Sequence, residues 1–179
     1  LAQLYFKMGI YEMAEPLYQQ ALSINKKTYG EEHVIYATSL NNLGALYHTT
    51  GNYEKAESFY LKALEIRKKV LGEKHPDYAT SLNNIALFYS EIGISEKAEP
   101  LYNQALEIRR EVLGEEHPLY SVTMNNLALF YFGTGKFEKA ETLLKEALNI
   151  RKKATGEDHP DYAISLSNLA LFYYDMGSY

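Results

Sequence analysis

The chain repeats itself every 42 residues, and that period constrains its fold more than any other feature. YATSLNN begins at Tyr36 and again at Tyr78, YSVTMNN at Tyr120 and YAISLSN at Tyr162. Residues 36–77 and 78–119 align without a gap. A unit this short cannot bury a core alone, so successive units must stack on one another. The register divides the 179 residues into a partial unit at 1–35, complete units at 36–77, 78–119 and 120–161, and a partial unit at 162–179 that holds a first helix only.

Nine of the eleven glycines fall on two ladders at this period, Gly9 to Gly177 and Gly30 to Gly156, so each unit contains two chain breaks. Glycine tolerates the left-handed backbone that closes a helix C-terminus, which predicts two helices per unit. His-Pro-Asp at 75–77 starts the first helix, with the proline in a turn that needs no N–H donor. Leu82, Ile85, Ala86 and Tyr89 then recur at helical spacing over about 77–91, and Ala98, Leu101, Tyr102, Ala105 and Ile108 do so over about 95–113. Strand alternation is nowhere sustained. The expected fold is all-α, a right-handed superhelical α-solenoid of antiparallel helix pairs.

Composition narrows the class. At 46% hydrophobic and 23% charged residues the chain is too apolar for disorder. The absence of cysteine removes a disulfide framework, a thiolate zinc site and a cysteine nucleophile, and fits a reducing, cytoplasmic setting. No apolar run approaches the roughly 18 residues of a membrane span. A net charge of -5 argues against nucleic acid, which needs a basic stripe.

LGALY at 43–47, GNYEKA at 51–56, and Tyr60 with Ala63-Leu64 resemble the tetratricopeptide repeat, along the whole chain. The 42-residue period and the LEIRKKVLGEKHPDYATSLNN wording are similar to the kinesin light chain variety, whose second helix is extended before a Gly-x-x-His-Pro turn. The heptad region of a kinesin light chain is not visible here, and the same repeat variety serves in multidomain proteins with unrelated tasks. The resemblance implies a protein-binding scaffold.

In such a solenoid the first helices line a concave face. Beside the core stripe of each first helix runs a second stripe that yields candidate groove residues: Asn41, Asn42, Asn83, Asn84, Leu87, Asn125, Asn126, Leu129, Phe132, Asn168, Leu171 and Tyr174. Asparagine is a poor helix-interior residue, so seven at mid-helix sites need bonding partners. A carboxamide can hold the backbone of an extended peptide whatever its sequence, or it can staple neighbouring helices. The resemblance assigns the peptide role to Asn42, Asn84, Asn126 and Asn168, since inner-helix asparagines of the family contact bound peptides. The inner stretches 36–50, 78–92, 120–134 and 162–176 contain no Lys or Arg, which points away from acidic ligands and toward a peptide with apolar or aromatic anchors.

Other clusters read as structural. His33, His75, His117 and His159 recur at one repeat position, spaced too far apart for one metal, and are expected to cap the turn before the first helix. Arg67-Lys68-Lys69, Arg109-Arg110 and Arg151-Lys152-Lys153 read as solvated helix ends, with Glu65 pairing Lys69 at i, i+4. No phosphate loop, HExxH or nucleophile elbow appears, so no enzyme, metal or cofactor is expected. The expected partner is a protein or peptide, with neither nucleic acid nor membrane involved. The alternatives are an array stacking end to end through exposed terminal helices, and a regulatory segment of a larger signalling protein.

Overall fold

A computed structural model describes residues 1–177. The last two positions of the final partial unit, Ser178 and Tyr179, lie outside the described residues. Among the described residues the regular structure is entirely helical: α1 (Ala2–Lys7), α2 (Tyr11–Tyr29), α3 (Val34–Thr49), α4 (Tyr53–Leu71), α5 (Pro76–Glu91), α6 (Ser95–Leu113), α7 (Pro118–Gly133), α8 (Phe137–Thr155) and α9 (Pro160–Asp175). The complete helices alternate between 16 and 19 residues, the shorter type opening each repeat. The chain forms two compact units, Leu1–Phe88 and Tyr89 onward, with the boundary inside α5.

The turns follow from local chemistry. His33, His75, His117 and His159 each accept a hydrogen bond at Nδ1 from the backbone N–H two residues on, at 3.1 Å, and so satisfy a donor left over at the start of α3, α5, α7 and α9. The sequence expectation of a histidine cap therefore holds. The ends of α2, α4, α6 and α8 hold a refinement: Gly30, Gly72, Gly114 and Gly156 have φ of 84 to 85° but ψ of 161 to 171°. That is an extended, positive-φ backbone open essentially to glycine alone, and it differs from the left-handed helical closure expected. It carries the chain out of the helix at once, toward the histidine turn.

In the first unit, Tyr36, Ala37 and Leu40 of α3 pack with Ala63 and Ile66 of α4, flanked by Leu22 and Phe59. Gly44 lies under the ring of Tyr60, where an added Cβ would come within 2.8 Å of Cδ1, so the α3–α4 crossing is set by the missing side chain. In the second unit, Tyr102, Met124, Ala128 and Leu144 of α6, α7 and α8 are buried to 2% exposure or less. The tyrosine ladder packs as expected, and its hydroxyls have a further use. Tyr47 donates to Glu15 at 2.6 Å, Tyr131 to Glu99 at 2.9 Å and Tyr173 to Glu141 at 2.7 Å, each tying a first helix to the second helix before it.

Candidate functional site

The basic clusters do not all behave as sequence reasoning expected. Lys68, Arg110 and Lys152 are exposed and paired with Glu73, Glu107 and Glu157. Arg67, Arg109 and Arg151, however, are buried, with 5%, 2% and 5% exposure. The solvated-end reading is corrected for these three. Lys69 pairs with Glu32 and not with Glu65. Arg67 donates to Ser81 Oγ at 2.7 Å, to the Asp77 carbonyl at 3.3 Å and to Thr38 Oγ1 at 3.2 Å, bridging α3, α4 and α5. Arg109 donates to the Leu119 carbonyl at 2.8 Å and to Thr123 Oγ1. Arg151 donates to Ser121 Oγ at 2.5 Å and pairs with Asp161 at 2.8 Å. At the equivalent place in the first repeat Asn25 donates to Ser39 at 2.8 Å.

These are the bolts between a second helix and the first helix that follows. Their signal lay in the period itself: Arg recurs at 67, 109 and 151, whereas the third position of each basic cluster varies between Lys and Glu. Burial holds the Arg67 guanidinium below its usual range, with Asp77 acting in the opposite sense. Burial holds Arg109 down to about 10, at a site where it donates to a hydroxyl and a carbonyl.

The candidate groove residues separate into two kinds. In the first unit, Asn84 donates to Asn41 Oδ1 at 3.0 Å across α3 and α5, Asn83 is buried, and Asn42 and Leu87 are half-buried. In the second unit, Asn125 is buried and donates to the Ser121 carbonyl at 3.2 Å and to Ser165 Oγ at 3.3 Å, joining α7 to α9. Asn126, Asn168 and Phe132 are half-buried. Phe132 meets Phe137 and Phe172 at ring centroid distances of 5.7 and 5.6 Å. Leu129, Leu171 and Tyr174 are exposed by 40%, 54% and 64%. Leu129 stays this open although α9 packs beside α7.

Among the described residues no group of three or more His, Cys, Asp or Glu side chains can hold a metal ion, and no helix is long and apolar enough to cross a membrane.

The tetratricopeptide repeat family model matches residues 1–69, 44–111, 95–153 and 120–179. The chain belongs to the tetratricopeptide repeat family. Proteins of this family are generally protein–protein interaction scaffolds. Solved structures that resemble the repeat chain include BtubC (BKLC) from P. vanneervenii, with a TM-score of 0.80 and 29% identity over 99% of this chain and 71% of that one. A putative kinesin light chain with nearly identical TPR-like repeats from Podosopora anserina matches with a TM-score of 0.77 and 28% identity, over 99% of this chain and 84% of that one. A point variant of that protein matches with a TM-score of 0.78, at the same identity and coverage. The kinesin light chain-like variety read from the period thus agrees with these repeat structures. No curated protein matches in sequence.

Proposed function

We propose that the chain is a non-catalytic scaffold whose first helices bind an extended peptide segment of a partner protein, in a cytoplasmic setting consistent with its lack of cysteine. The observation that carries this reading is the stripe on α7 and α9. Part-exposed Asn126 and Asn168 stand beside exposed Leu129, Leu171 and Tyr174, on stretches without a single Lys or Arg. Carboxamides hold a peptide backbone, and the apolar side chains make pockets for its anchors. Asn83 and Asn125 are too deeply buried to touch a ligand, and in this reading they position the helices that carry Asn84 and Asn126. Asn41, Asn42, Asn84 and Leu87 form the corresponding stripe of the first unit, more polar than the second.

The test is a peptide-array screen with apolar-anchored, uncharged sequences, followed by titration against Asn126→Ala/Asn168→Ala and Leu129→Lys. At least a tenfold loss in both variants is expected. Unchanged binding in both would end the groove reading.

A second reading has its own observation. Leu4, Met8 and Met13 near one end of the chain, and Ile164, Leu166 and Met176 near the other, are exposed apolar side chains. Such surface supports end-to-end association of copies. Light scattering across a concentration range separates the two, since a concentration-independent monomer excludes stacking.

A further inference from the structure

Ten of the eleven glycines have a reason that the fold itself supplies. Nine lie at positive φ, where a side chain is strained, and Gly44 faces the Tyr60 ring, 2.8 Å from where its Cβ would stand. Gly133 has neither reason. It is the last residue of α7, it lies outside the positive-φ set, and an added Cβ there meets nothing within 4 Å. Alanine would fit that space and strengthen the helix end, since glycine has more backbone freedom to lose. The fold gains nothing from the missing side chain.

The surroundings of Gly133 on α7 are those of the peptide stripe. It follows Leu129 by four residues and Asn126 by seven, so the three lie on one face of the helix. Gly133 is exposed, as Leu129 is, and Asn126 is half-buried. The other first helices close the same repeat position with Lys7, Thr49, Glu91 and Asp175. Next to Gly133 in the chain the wall is aromatic: Phe132 meets Phe137 at a centroid distance of 5.7 Å, and Phe137 remains 42% exposed. Bare backbone one turn below an exposed leucine and beside this ring pair leaves a notch in the stripe on α7 that the corresponding side chains fill elsewhere.

We propose, resting on the groove reading, that Gly133 is a specificity-determining residue whose missing side chain admits an aromatic anchor of the bound peptide. A flat ring lies against bare helix backbone where a Cβ would hold it off, and the exposed Phe137 ring offers it an aromatic neighbour. An aliphatic anchor such as valine is accommodated by Leu129 alone and draws nothing from the notch. Asn126, two turns above, holds the peptide backbone while the anchor points down the helix face toward Gly133.

The test is fluorescence anisotropy of labelled nonapeptide pools on the whole chain. Each pool is randomised over alanine, serine, asparagine and leucine, with the central residue fixed as valine, leucine, phenylalanine or tryptophan. The phenylalanine and tryptophan pools are expected to bind roughly three- to tenfold tighter than the valine pool, the preference that an aromatic contact supports. Gly133→Ala and Gly133→Thr should each erase that preference while leaving the valine pool unchanged. Gly133→Ala should at the same time hold or raise Tm, by up to about 4 °C. Added stability together with lost aromatic preference is a pair of results that a structural role for the glycine does not produce. The proposal is overturned by equal binding of all the pools, by a preference that survives both substitutions, or by a lowered Tm in Gly133→Ala. In each of these cases the groove itself stands if Leu129→Lys still weakens every pool. Unchanged binding in Leu129→Lys, or no binding of any pool to the unsubstituted chain, overturns the groove reading and this proposal together.

Discussion

Leu119→Asp should stabilise the second unit, because it supplies an aspartate to the one buried arginine that has a leucine where the others have that residue. Arg67 has Asp77 ten residues on, Arg151 has Asp161, and Arg109 has Leu119. The Arg151–Asp161 pair closes at 2.8 Å while Asp161 remains part-exposed, and His159 still caps its backbone N–H, so cap and ion pair are compatible at this site. Burial lowers Arg109 from the ordinary guanidinium range to about 10, which corresponds to roughly 3 kcal/mol held against the charged form, at about 1.4 kcal/mol per unit. A carboxylate near 4 Å recovers at most ~4 kcal/mol at an effective dielectric constant of about 20, and about half of that with one side open to water. A first-turn acid adds ~0.5 kcal/mol from the helix dipole. Loss of the Leu119 side chain, already 37% exposed, removes ~1 kcal/mol of burial. The net is a gain of about 1–2 kcal/mol.

Repeat arrays unfold unit by unit, so the local readout is hydrogen exchange at the α6 and α7 amides, with Tm as a coarse companion expected to rise by ~2–6 °C. The carboxylate's pKa falls on pairing. Its contribution is therefore present above about pH 4 and disappears as the pH drops through the folded value. Asp161→Leu should lose a similar amount around α8 and α9. A lower Tm for Leu119→Asp, or a rise that persists unchanged at pH 3, would refute the reasoning.

Four further outcomes follow from the packing. Asn125→Ala removes a buried carboxamide that joins α7 to α9 and should cost ~1–3 kcal/mol, seen as a lower urea midpoint. Gly44→Ala gains ~1 kcal/mol of helix propensity but drives a Cβ to 2.8 Å from the Tyr60 ring; overpacking of ~1–3 kcal/mol should win, giving a net loss near 1 kcal/mol by the same measurement. Hydrogen bonds from Lys136 and then Tyr131 hold Glu99 below its usual 4.5, so it stabilises the fold above that pH and ceases to as acid takes the pH through the lower folded value; Glu99→Gln should flatten the acid limb of a Tm–pH profile. The alkaline side has the opposite sign. Burial and the Glu99 bond push Tyr131 up to about 12, so its contribution fades between pH 10 and 12, and tyrosinate absorbance should show a late-titrating hydroxyl that Glu99→Gln brings earlier.

The sequence alone determined the period, the helix pairs, their boundaries to within a residue or so and the histidine caps. These depend on interactions within a few residues or on spacing that recurs every 42 positions. It also marked the stripe from which Asn126, Leu129 and Tyr174 remain at least part-exposed. Tertiary structure decided which asparagines reach solvent. Asn125 and Asn126 are adjacent and chemically identical, and the packing of α9, with Ser165 against Asn125, buries the first while the second stays part-exposed. It likewise decided that Arg67 is buried while Lys68 beside it is solvated, since a helix turns about 100° per residue and only the neighbouring helix defines which side is inside.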